Sequence, residues 1–168
     1  MARRVYFSFH YEPDNWRASQ IRNAGVVEGN PSVSDSEWDT ITKNGDMAID
    51  RWIASQMDDK PCAVVLIGSA TAGRKWITYE IAKAWVERRG VVGIYIHNLK
   101  DASGAQSSKG GNPFDYLRVT RDSSKMSDII KAYDPPFTAS ELVCAHIKEN
   151  IDAWVEEAIA IRKYTVLS

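Results

Sequence analysis

The chain has 168 residues, the length of one compact domain at a prior of roughly 150 residues per domain. Apolar residues make up 44% and charged residues 26%, a mix that excludes disordered, collagen-like and low-complexity chains. Lys plus Arg number 21 and Asp plus Glu 22, so the net charge of −1 provides no field for a nucleic acid, and no apolar run approaches the roughly 20 residues that span a bilayer.

Met1-Ala2-Arg3-Arg4 leads directly into a strand-like run and not into a signal peptide, so a soluble cytoplasmic protein is expected. Val5-Tyr6-Phe7-Ser8-Phe9 is β-branched and aromatic and predicts the first strand. Asp14 is a candidate cap for a short helix over Trp16–Ala24, closed by Gly25. From Val26 to Gly45 the pattern dissolves into Gly, Asn, Pro, Ser and Asp, which predicts mainly a long loop, with at most short strands near Val26-Val27 and Ser32-Val33. Asp46–Met57 sets Ile49, Trp52, Ile53 and Met57 at helical spacing.

Cys62–Ile67 is a continuous apolar run, the mark of a strand covered on both faces. Lys75–Arg89 predicts a helix with Ile77, Ile81, Ala84, Trp85 and Arg88 on one side and Gly90 as terminator. Val91–Ile96 supplies another buried strand, and the Gly-, Ser-, Lys- and Asn-rich stretch Asn98–Asp115 a surface excursion. Ile129–Tyr133 predicts a last short strand. Thr138 and Glu141 have capping-box spacing, before a final helix to about Lys163 with Val143, Ile147, Ile151, Trp154 and Ala158 as its apolar stripe. Strands alternating with helices make a flavodoxin-like α/β fold, a central parallel sheet with helices on both faces, and ligands bind at the carboxyl ends of such strands. Cys62 and Cys144 lack a partner at metal-ligand spacing and read as small core residues, and most of the six tryptophans are assigned to the core.

Gly68-Ser69-Ala70-Thr71-Ala72-Gly73-Arg74-Lys75 stands where a phosphate-binding P-loop would, but Arg74 follows the second Gly and no Ser or Thr is placed for magnesium. Anion binding through amides at the helix start remains open beside a plain solvated loop. A phosphoreceiver domain is excluded, because the first strand ends Ser8-Phe9-His10 and the strand Ala63–Ile67 ends in Gly68-Ser69, with no acceptor aspartate.

Trp76 and Glu80 are four apart and share a helix face just beyond the ligand-binding edge. Together with Phe7-Ser8-Phe9-His10-Tyr11, Arg74–Ile81, Gly93–Asn98 and Asn112–Leu117, they resemble the TIR-like domains of prokaryotes, including the TIR proteins of Thoeris antiphage defence. The motifs lie within residues 3–118 of a single domain, 1–168. Residues 119–168 form a C-terminal extension without a family motif.

The resemblance implies cleavage of NAD between nicotinamide and ribose, by hydrolysis or by cyclisation into an ADP-ribose second messenger for a separate effector. NAD is then a substrate, and no cofactor or metal is expected. Nicotinamide leaves a cationic ring as a neutral group, so one carboxylate suffices where an ordinary glycoside needs two. Glu80 is the residue in that catalytic position. Phe9, His10, Ser69, Arg74 and Trp76 are the substrate-binding candidates. For Trp76 helix-to-sheet packing is the competing role, for His10 a hydrogen-bonded structural one. Asn112–Asp115 either fixes a turn or shapes the pocket. The resemblance further implies self-association and activation by an infection cue; the Gly, Pro and Ser content of Val26–Gly45 would let that segment cover the cleft and shift when a second subunit docks, with a monomer carrying an ordinary surface loop as the alternative. Two other readings stay open: a non-catalytic TIR scaffold acting through self-association, and a module that senses a nucleotide without cleaving it.

Overall fold

The computed structural model describes residues 2–118 and 124–165. Five strands form one sheet: β1 (Arg4–Ser8), β2 (Glu28–Gly29), β3 (Cys62–Ile67), β4 (Gly90–Tyr95) and β5 (Ala132–Tyr133). All pairings are parallel in the order β2-β1-β3-β4-β5, with Val5 opposite Cys62 and Val64 opposite Val92. Helices α1 (Tyr11–Ala24), α2 (Asp35–Lys43), α3 (Asp46–Met57), α4 (Lys75–Val86) and α5 (Ser140–Tyr164) complete the flavodoxin-like arrangement.

Successive strand residues point to opposite faces, and this alternation divides the core in two. Val5, Phe7, Cys62, Val64, Leu66, Val92 and Ile94 meet Ala18 and Ile21 of α1 and the Val143, Ile147, Ile151 and Trp154 stripe of α5. Tyr6, Ala63, Val65, Ile67 and Val91 meet Ile49, Ile53 and Met57 of α3 and Ile77, Ile81, Ala84 and Trp85 of α4. Burial on both faces explains why β3 and β4 read as unbroken apolar runs. Cys62, buried in that layer, has its thiol pushed up to about 12 by loss of water.

Several local expectations need correction. α1 starts at Tyr11, before the expected Trp16, because Pro13 sits within the first turn, where its missing N–H is harmless. Asp14 is not the cap: His10 holds that position, and the Asp14 carboxylate is buried against Arg17 at 2.9 Å. Gly25 closes α1 as expected, in the left-handed region at φ 72°. The segment Val26–Gly45 is not mainly loop, since it contains β2 and the whole of α2. Ser34 caps α2 by accepting from the Glu37 amide at 3.2 Å and donating to the Glu37 carboxylate at 3.1 Å. α4 ends at Val86, so Arg88 lies past it, exposed and with positive φ, and Gly90 begins β4 instead of ending the helix. The Thr138–Glu141 box does not form; Ala139 is the cap of α5 and offers no side-chain bond.

Candidate active site

A cleft of about 400 Å³ opens at the carboxyl end of β1, between α1, the chain after β2, α2, α3 and the start of α4. That size lies within the roughly 300–1,000 Å³ of ordinary small-molecule sites. Of the residues singled out in the sequence, Phe9, His10, Arg74, Trp76 and Glu80 line it together.

Glu80 sits one turn beyond Trp76 on α4, yet its side chain is turned into the protein and the residue is only 6% exposed. The Tyr6 hydroxyl donates to Oε2 and the Ser8 hydroxyl to Oε1, the latter at 3.1 Å. Tyr6 and Ser8 alternate along β1, so one face of one strand holds both carboxylate oxygens. No cation pairs with Glu80 among the described residues. Burial pushes its carboxyl up to about 7, against the two hydrogen bonds, which favour the anion. An acid poised there, fixed in orientation and facing a cleft, can stabilise developing positive charge.

The remaining walls are largely aromatic. Phe9 stacks on Tyr11 with ring centres 6.4 Å apart, Tyr11 on Trp38 at 5.1 Å, and Trp38 meets Trp52 edge-on at 5.7 Å. The Tyr11 hydroxyl reaches the Val33 carbonyl at 2.7 Å and the Asp35 carboxylate at 2.9 Å, which ties α2 to α1. Buried Asn30 accepts from the Phe7 amide at 2.9 Å and fixes the chain after β2 against β1. Trp85 and Trp154 are buried, and Trp52 and Trp76 pack partly buried against the core while also lining the cleft, so four of the six tryptophans serve the core as expected; Trp38 lines the cleft and Trp16 is 55% exposed. Trp38 went unread because its helix did; the Ser34-x-x-Glu37 spacing was the available signal.

Trp76 is half-buried, packs against the α3/α4 core layer, and stands edge-on to Tyr79 at 5.3 Å, so its packing and cleft-lining roles coexist. His10 lacks the hydrogen bond that a structural histidine would make: its Nδ1 is buried without a partner, and burial, with Arg74 nearby, lowers its pKa. Arg74 is exposed at the rim as the cap of α4. Lys75 pairs with Asp46 at 2.6 Å and lies 5.1 Å over the Trp76 ring.

Ser69 stands apart from these groups, exposed and outside the cleft lining. At the start of the loop that carries it the Gly68 amide donates to Thr71 Oγ1 at 2.8 Å and Gly110 lies against the Gly68 and Ser69 carbonyls, whereas the amides at the start of α4 take no side-chain cap. Asn112–Asp115 serves turn geometry: Asn112 Oδ1 accepts from the Phe114 amide at 2.9 Å, and Phe114 plugs the α3/α4 layer. Among the described residues no group of His, Cys, Asp and Glu could hold a metal ion, and no helix is long and apolar enough to cross a membrane.

Comparison with known proteins agrees with this geometry. The family model described as "Thoeris protein ThsB, TIR-like domain" matches residues 6–101, the stretch from β1 through the strand that follows α4. The chain is also 40% identical over 122 residues to a Bacillus cereus (strain MSX-D12) protein named "Putative cyclic ADP-D-ribose synthase ThsB1". That alignment covers 70% of this chain and 64% of the relative, so the chain spans just under two thirds of the relative's length. With more than half of its residues inside the family model, the chain belongs to the Thoeris ThsB TIR-like family.

Proposed function

We propose that the chain breaks the bond between nicotinamide and ribose in NAD and closes the ADP-ribose fragment into a cyclic product, a signal for a separate effector in antiphage defence. The observation that carries this reading is Glu80, a buried carboxylate gripped by Tyr6 and Ser8 at the floor of an aromatic cleft. The name of the Bacillus cereus relative supports it.

In the reaction, nicotinamide departs with the electron pair of the C–N bond, which neutralises its ring and leaves positive charge on the ribose. Glu80 in its ionised form lowers the energy of that cation, and no proton has to reach the leaving group. An internal nucleophile, a ring nitrogen of adenine or a ribose hydroxyl, then attacks the anomeric carbon, and a hydroxyl attacker gives up its proton to water. Water competes for the same carbon and would give the linear product. The aromatic walls from Phe9 to Trp52 and Trp76 favour ring closure, because flat faces hold a folded dinucleotide and limit water.

The test is incubation of the full chain with NAD, over a series of protein concentrations and with or without extract of infected cells, followed by chromatography. Nicotinamide with a cyclic product supports the reading. Nicotinamide with linear ADP-ribose makes the chain a hydrolase, and NAD left intact under every condition returns it to a scaffold or a sensor. Specific activity that rises with protein concentration supports activation by self-association.

A further inference from the structure

Arg17 and Arg22 stand on the same helix and are treated differently by the fold. Arg17 is used up internally: Nε donates to the Leu99 carbonyl at 2.7 Å, Nη1 to the Pro13 carbonyl at 3.0 Å and to Asp14 at 2.9 Å, and Nη2 to the Ala105 carbonyl at 2.9 Å. Arg22 makes one such bond, from Nε to the Asn30 carbonyl at 3.0 Å. Its Nη1 is buried without a partner, and among the described residues no carboxylate pairs with it. The half-buried guanidinium lies 5.8 Å from the Phe7 ring centre and 6.0 Å from that of Phe9, and it lines the same cleft as Glu80.

A guanidinium withdrawn from water without an anion is unfavourable, and its planar fork matches two oxygens of a phosphate. The cleft's other cations are differently placed, Lys75 on Asp46 and Arg74 exposed at the rim. The Gly68–Lys75 loop, the other anion candidate, has its first amide taken by Thr71. We propose that Arg22 is the anchor for the diphosphate of a nucleotide bound in the cleft, with the terminal guanidinium nitrogens as donors and the aromatic wall beside them as the seat of the base. Which nucleotide this is rests on the NAD reading above; the anchor itself rests on the unpartnered Nη1 and on the place of this guanidinium, without an anion, in the cleft lining.

The experiment uses ADP and adenosine, which lack nicotinamide and cannot be turned over, titrated calorimetrically into the full chain and into R22Q. The wild-type chain is expected to bind ADP about tenfold or more tightly than adenosine, with the difference shrinking as salt is added. R22Q should bring ADP down to the adenosine value and leave adenosine unchanged. R22M, which keeps an apolar stem against Phe7 and Phe9, is read by the same criterion if R22Q does not melt cooperatively. Equal affinity of the wild type for both ligands, an ADP preference that survives the substitution, or a parallel loss of both ligands would overturn the proposal. An Arg22-dependent ADP preference in a chain that leaves NAD intact would sink the catalytic reading and keep this one; turnover in a chain without that preference would do the reverse.

Discussion

Beyond β3 and β4 the carboxyl edge of the sheet is covered by the 98–112 segment, whereas beyond β1 it opens into the cleft. The covered half meets its charges internally, although Asp14 Oδ2 and His97 Nδ1 are buried without a partner. Arg17 binds Asp14 and two carbonyls of the covering segment, Asp101 accepts from the Ser103 and Ala105 amides at 2.9 Å, and the Ser107 amide reaches the His97 carbonyl at 2.8 Å. In the open half Glu80 has donors but no cation, Arg22 has no anion, and His10 Nδ1 has no partner. What sets the open half apart is that a carboxylate without a cation and a guanidinium without an anion line one cleft, the arrangement a charged ligand would complete.

The largest effect belongs to the covered half. Arg17→Met leaves the Asp14 carboxylate buried without its cation and should cost about 3–5 kcal/mol in denaturant unfolding, with faster hydrogen exchange in the 98–106 turn. A cost below about 1 kcal/mol would show that the covered half does not depend on this pair.

Next comes the pH response of the open half. Glu80 has a folded value of about 7 against an ordinary 4.5, so between those values the native state binds more protons than the unfolded chain. Stability should therefore fall as pH rises from about 4.5 to 7, by about 3 kcal/mol at most, and level off above. Glu80→Gln should remove that slope and melt higher than the wild type above pH 7. Melts of both proteins across that range check the sign. A slope unchanged by the substitution would assign it to other groups.

Trp76→Ala is smaller in stability, under about 2 kcal/mol, because the ring is half-buried and a fully buried aromatic would cost about 3–5. Its main effect should fall on product, away from cyclic and toward linear, read by chromatography beside a melt. Activity loss that only follows unfolding would make Trp76 a packing residue. Ser69→Ala, exposed in the covered half, should change stability by no more than about 0.5 kcal/mol and leave turnover as it was.

The difference between the halves also explains what could be read in the chain. β3, β4, α4 and α5 announced themselves because two-sided burial makes continuous apolar runs and one-sided burial makes stripes such as Val143 to Ala158. α2 is nine residues long with only Trp38 and Ile41 as apolar residues, three apart and neither fully buried, too few to stand out as a stripe, and with it Trp38 and one wall of the cleft were missed. Glu80, Trp76, His10 and Phe9, named through the family resemblance, come together in one cleft. Tyr6 and Ser8 as partners of Glu80 were not legible, because their meeting depends on which face of β1 turns toward α4, a long-range relation between residues that no local pattern links. Arg22 was invisible for a similar reason: nothing local distinguishes it from Arg17, and only the packed environment pairs Arg17 with a carboxylate and leaves Arg22 without one.

The central claim, that Glu80 is the group on which NAD cleavage depends, is met most directly by measuring nicotinamide release and product identity for the wild type and Glu80→Gln on both sides of pH 7. The account predicts a wild-type rate that climbs through about pH 7 as the carboxyl ionises. It also predicts a folded Glu80→Gln protein slower by about a hundredfold or more, roughly 2.7 kcal/mol of lost charge stabilisation. Glu80→Gln that stays folded and releases nicotinamide at the wild-type rate would contradict it.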